Sequence, residues 1–161
     1  MNRRQLLISG FGTAAAPLSH AVRVLEVVDV DLTDMRPGDI KTVTWKGQLV
    51  FIRYRTNAEV ADARAADLNE LRDPEADDER VLRDEWLIVL GSCTHGGCVP
   101  SPATGQLGGW YCLCHGSVFD ISGRVREGPA LQNLTVPPYT FLSPNRIRIG
   151  AATQLSHSLL P

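Results

Sequence analysis

From residue 22 onward, apolar side chains recur in short runs separated by turn residues, the pattern of a chain built mostly from β-strands. "VRVLEVVDVDL" (22–32) is rich in β-branched residues, and "RPGD" (36–39) after it is a turn signal. "TVTW" (42–45) and "QLVFIRYR" (48–55) flank Lys46-Gly47 and read as a hairpin, with Gly47 free to take positive φ. "EWLIVLGS" (85–92) is a continuous apolar strand. Further short strands are expected at 109–114, 117–120, 124–126, 134–136, 139–142 and 146–150, with turns at Ser122-Gly123 and Ser143-Pro144-Asn145. One segment breaks the pattern. Thr56-Asn57-Ala58-Glu59 has the form of a capping box, and Ala61, Ala65 and Leu68 fall at helical spacing, which predicts one short helix over 58–71. "RDPEADDER" (72–80) then reads as an acidic, solvated loop, and the tail at 151–161 is weakly patterned.

Composition narrows the class without naming it. A length of 161 residues suits about one domain, and 43% apolar with 21% charged residues is ordinary for a soluble globular protein. With a net charge of −2 and its Lys and Arg scattered, the chain offers no footprint for nucleic acid.

The first 21 residues, "MNRRQLLISGFGTAAAPLSHA", place Arg3 and Arg4 ahead of an apolar run and then small residues. That is the layout of a twin-arginine export signal, which carries folded, cofactor-loaded proteins; an ordinary short N-terminal segment, basic and then loosely apolar, is the alternative. Leu6 to Leu18 is thirteen residues, about 20 Å as a helix against a hydrocarbon core of about 30 Å. The expectation is a periplasmic protein, soluble or peripherally attached, with weak or no membrane association.

The chemistry is concentrated in two boxes. "CTHGGC" (93–98) and "CLCHGS" (112–117) hold all 4 cysteines and two of the 4 histidines. In an exported protein two disulfides are one way to use the sulfurs, though His95 and His115 then go unexplained. A zinc site is another, but its usual C-x₂₋₄-C and H-x₃₋₅-H spacing does not match Cys-x-His and Cys-x-x-His. A third sorting takes one Cys and one His from each box for a two-iron cluster and leaves one cysteine pair over.

C-T-H-x-G-C followed by C-x-C-H-G-S resembles the Rieske motif of quinol–cytochrome c reductase iron–sulfur subunits. The resemblance extends over roughly residues 24–150, through "LVFIRYRT" (49–56), "ARAADLNELRDPEADDERV" (63–81), "EWLIVLGSCTH" (85–95), "GRVREGPA" (123–130) and "NLTVP" (133–137). It implies a [2Fe–2S] cluster with Cys93, His95, Cys112 and His115 as ligands, and a Cys98–Cys114 disulfide. Ser117 is implied as a hydrogen-bond donor to a bridging sulfide, beside Gly116. It also implies an all-β Rieske fold of stacked antiparallel sheets with one inserted short helix. The expected division is a base domain at 22–90 and 132–150, with a small cluster-binding subdomain at 91–131.

Departures from that family sit around the cluster. Gly96 stands where Leu is usual, Leu113 and Leu131 where Pro is usual, and Phe119 where a Tyr usually donates to a ligand thiolate. With the short N-terminal apolar run, these changes favour a small exported electron carrier serving a redox protein such as a c-type cytochrome. The alternative is a working ubiquinol-oxidising subunit of a cytochrome bc1 complex. There the chain meets cytochrome b, and His115 accepts the quinol hydrogen bond.

Overall fold

In the computed structural model, residues 27–102 and 107–150 are described. The expected export signal and the 151–161 tail lie outside them. The strands are β1 (Val28–Asp31), β2 (Ile40–Trp45), β3 (Gln48–Tyr54), β4 (Trp86–Leu90), β5 (Ser101–Pro102), β6 (Trp110–Cys112), β7 (Ser117–Phe119), β8 (Val125–Glu127), β9 (Tyr139–Ser143) and β10 (Arg146–Ile149). They form three antiparallel sheets, ordered β1-β10-β9, β2-β3-β4 and β5-β6-β7-β8.

The β2-β3-β4 sheet is the middle layer, and strand alternation shows why. Val50, Ile52, Trp86 and Ile88 pack with Val30, Tyr139, Ile147 and Ile149 of the first sheet. The intervening residues Phe51, Leu87 and Val89 face the other way, against Trp110, Phe119, Val125 and Leu134. A strand buried on both faces has no polar positions to alternate with. That accounts for the unbroken apolar run of β4. The β2–β3 hairpin closes as expected: Trp45 pairs with Gln48, and Lys46 and Gly47 both have positive φ, at 50° and 75°, the two-residue turn that matches strand twist.

Other expectations need correction. Thr56 caps the helix, accepting from Glu59 N while Glu59 accepts from Thr56 N, but α1 runs only Asn57–Ala65. Asp67 then accepts from Asn69 N and starts a separate turn of 3₁₀ helix at Leu68–Glu70. The predicted apolar stripe is also misplaced, since Ala61, Ala65 and Leu68 are exposed and Ala63 is the buried contact. Residues 134–136 form no strand. Leu134 N bonds Gly123 O, and Thr135 O accepts from Leu90 N, so the segment ties two neighbours instead of pairing along one. The prolines at 137 and 138 have no N–H with which to extend a ladder.

The largest correction concerns the acidic run. It holds a short helix, α2 (Asp77–Arg80), and both of those end residues are 3% exposed. Asp77 takes two hydrogen bonds from the guanidinium of Arg55, at 2.6 and 3.1 Å, and one from Ser122 Oγ at 2.5 Å. Arg80 donates to the carbonyls of Ser122 and Leu134 at 2.7 and 2.6 Å and pairs with Glu75. Arg124 pairs with Asp120 at 2.9 Å and reaches Ala63 O at 2.7 Å. Buried arginines need carboxylates and carbonyls on every side, and the acidic run supplies two of the carboxylates, Asp77 for Arg55 and Glu75 for Arg80.

Candidate metal centre

β6 and β7 form a tight hairpin in which Cys112 pairs with Ser117. The second box is its turn; the first follows β4. The boxes fold alike: Gly97 N bonds Cys93 O at 2.8 Å, and Gly116 N bonds Cys112 O at 2.9 Å. Gly97 and Gly116 take φ of 78° and 79°, in the left-handed region that glycine adopts without strain. Gly96 does not have a positive φ, and a Cβ there meets nothing within 4 Å, so its backbone does not require glycine.

Cys98 and Cys114 form a disulfide with a Cα–Cα distance of 6.6 Å, which joins the two boxes. Cys93 and Cys112 lie outside any disulfide and are buried, at 3% and 2% exposure. Their thiols face each other. Burial pushes the Cys112 thiol above its ordinary value, the neighbouring Cys93 thiol adds to this, and the backbone N–H groups of Cys114 and His115 pull the other way. A bound cation reverses that balance and favours the thiolate. The exposed rings of His95 and His115, one from each box, meet edge to face, centroids 4.7 Å apart. The sulfurs of Cys98, Cys112 and Cys114 also lie within 4.8 Å of one another. Two of these three are spent in the bridge, so that trio marks where the disulfide abuts the site.

Ser117 is fully buried beneath the boxes, and its Oγ accepts from Ala130 N at 3.1 Å. The 128–130 backbone passes so close that a Cβ on Gly128 would lie 2.5 Å from Ser117 Cα. Phe119 is fully buried in the same packed cluster as Cys93 and Cys112, whereas Leu113 and Leu131 are 76% and 70% exposed. Sequence reasoning missed Arg72 and Asp73, which hold this loop from outside the boxes, Thr94 of the first box, which bonds Gln132 O, and the loop's own Asn133, which bonds Asp73. The only signal was a polar segment within the stretch of resemblance.

This is a Rieske fold, an all-β metal-site domain. The Rieske [2Fe-2S] domain family matches residues 26–139, and the chain belongs to it. Among curated proteins, it is 52% identical over 132 residues to the mitochondrial cytochrome b-c1 complex subunit Rieske-1 of Nicotiana tabacum, covering 82% of this chain and 51% of that one. The corresponding Solanum tuberosum subunit is also 52% identical over 132 residues, with 82% and 50% covered. The chain thus spans about half the length of these relatives. A solved structure titled "Hyperthermophilic respiratory Complex III" shares the fold with a TM-score of 0.52 and 24% identity, over 74% of this chain and 71% of that chain.

The Rieske domain binds a [2Fe–2S] cluster, and the donor set here fits one: two buried thiols in contact, two imidazoles in contact, and the remaining sulfurs oxidised. Among the described residues, no helix is long and apolar enough to cross a membrane.

Proposed function

We propose that this chain transfers single electrons through a Rieske cluster held by Cys93, His95, Cys112 and His115. In this reading it is an exported, periplasmic carrier that passes electrons to a redox protein such as a c-type cytochrome. The convergence of two buried thiols and two exposed imidazoles from matched boxes carries the proposal. Bound there, the cluster supplies a one-electron site of raised potential, because imidazoles leave it less negative than four thiolates.

The chain's own residues divide the remaining work. The buried cysteines sit away from solvent, while the exposed histidine edge offers the face through which a partner exchanges electrons. Ser117 donates from below, and Gly116 keeps the second box tight against the site. Residues 91–131 act as the cluster-binding subdomain on the base formed by 22–90 and 132–150.

A second reading is favoured by the identity to subunits titled cytochrome b-c1. In it the chain oxidises quinol beside cytochrome b, with His115 accepting the quinol hydrogen bond. The exposed Leu113 and Leu131 and the side-chain-free Gly96 alter the face such docking uses, which favours the carrier.

One experiment tests both. The full chain, expressed with its own N-terminus in a proteobacterium, is fractionated, and iron, labile sulfide and EPR are measured in each fraction. Two irons and two sulfides with a mixed Cys/His signal in the periplasmic fraction are expected. A signal confined to membranes with cytochrome b favours the second reading. A cluster unchanged in His95→Ala and His115→Ala sinks both.

Phe119 gives a further expected result. A hydrogen bond to a ligand thiolate stabilises the reduced cluster more than the oxidised one. A phenylalanine has no such donor. Phe119→Tyr raises the potential by roughly 40–60 mV if that difference is about 1–1.5 kcal/mol. Protein-film voltammetry reads this directly, and an unchanged or lower potential with the cluster intact removes the explanation.

A further inference from the structure

The loop at 128–133 crosses over Ser117, yet little apolar packing holds it. Ala130 is its buried apolar contact, while Gly128, Pro129, Leu131 and Gln132 are exposed. Hydrogen bonds from distant segments fix it instead. Arg72 Nη1 donates to the carbonyls of Gly128 and Ala130, the latter at 2.7 Å. Asp73 accepts from Asn133 N at 2.8 Å and, through its carbonyl, from Asn133 Nδ2 at 3.1 Å. From the first box, Thr94 Oγ1 donates to Gln132 O at 2.6 Å. The loop is therefore pinned near both ends by the dipeptide Arg72-Asp73.

The pinned residue between those ends is the one that touches Ser117. A hydroxyl has one proton to give and two lone pairs with which to accept. Ala130 N occupies an acceptor position on Ser117 Oγ, which restricts the hydroxyl's rotation and directs its remaining donor. Gly128 lies too close to Ser117 for any side chain, so a small displacement of the loop is transmitted to the serine. We propose that Arg72, with Asp73, is a positioning residue for the redox centre: by clamping the 128–133 loop it aims the Ser117 hydroxyl at the cluster and holds the potential up.

Arg72 acts through Ser117 and touches no proposed ligand. The proposal rests on the cluster reading above, so iron, labile sulfide and EPR are measured on every variant. Their absence from the unsubstituted protein overturns that reading, and this proposal with it. With the cluster present, potentials are compared for the unsubstituted protein, Arg72→Gln, Ser117→Ala and the double variant. Arg72→Gln is expected to weaken electron affinity by about threefold to tenfold, a shift of up to about 59 mV.

Removing the arginine's charge also lowers the potential, but that part does not depend on the serine. At least half of the shift is therefore expected to vanish in the Ser117→Ala background. No shift in Arg72→Gln, or a shift that keeps more than half its size without the hydroxyl, overturns the proposal. Should Arg72→Gln shed its cluster, Arg72→Lys carries the same comparison, keeping the charge while giving up the planar guanidinium fork.

Discussion

Asp77→Ala is expected to lower unfolding stability by about 3–5 kcal/mol, the usual cost of removing one partner from a buried ion pair. The Arg55 and Asp77 side chains are 0% and 1% exposed. Truncation strands the Arg55 guanidinium with the Asp84 carbonyl as its remaining partner and leaves Ser122 Oγ without its acceptor. A urea titration at neutral pH reads the loss as a lower midpoint with unchanged slope. A change under about 1 kcal/mol means that water or a rearranged Glu75 replaces the carboxylate. The pH dependence follows from the same contacts. Burial alone pushes the Asp77 carboxyl up, but the bonds from Arg55 and Ser122 outweigh it and hold it below its ordinary value. A depressed folded value means that the contribution is present above the unfolded pKa of about 3.9 and lost as pH falls through the folded value. The gap between the unsubstituted protein and Asp77→Ala therefore narrows below about pH 4.

That network also marks where sequence reading stops. The two-faced burial of β3 and β4 was legible because alternation and continuous apolar runs report directly on which faces are covered. The boxes were legible because cysteines and histidines are few, and here they cluster in matched loops. The run at 72–80 was not. A charged residue that meets solvent and one that neutralises a buried arginine 22 residues earlier, as Asp77 does for Arg55, look identical in one dimension. The three isolated arginines in or beside apolar strands, at 53, 55 and 124, were the available hint, since each needs a counter-charge. Ala63 makes the same point for the helix. It is buried where Arg124, 61 residues further on, reaches its carbonyl, a contact that the spacing of its neighbours does not report.

The bridge between Cys98 and Cys114 decides whether the two boxes stay together. Each box has its own local turn bond, but those bonds do not connect one box to the other. His95, Gly96, Gly97, Leu113, Cys114 and His115 are all exposed, so apolar packing does not hold the tips together either. The bridged cysteines are separated by 16 in sequence, and closing a loop of that length contributes about 3 kcal/mol on the chain-entropy estimate. Replacing Cys114 alone leaves the Cys98 thiol close to Cys112, where it can capture metal in the wrong arrangement. The cleaner variant is therefore the pair Cys98→Ser and Cys114→Ser. It is expected to lose about 3 kcal/mol in urea and to release iron on mild heating that leaves the unsubstituted protein loaded. The β1-β10-β9 and β2-β3-β4 sheets pack through a separate core of Val50, Ile52, Ile88, Ile147 and Ile149, so far-UV circular dichroism should persist after the iron is gone. Thiol mapping that finds Cys98 and Cys114 reduced in the native protein, or a double-serine variant that keeps its iron through the same heating, removes the bridge from the account. The boxes would then be held together by the cluster ligands themselves.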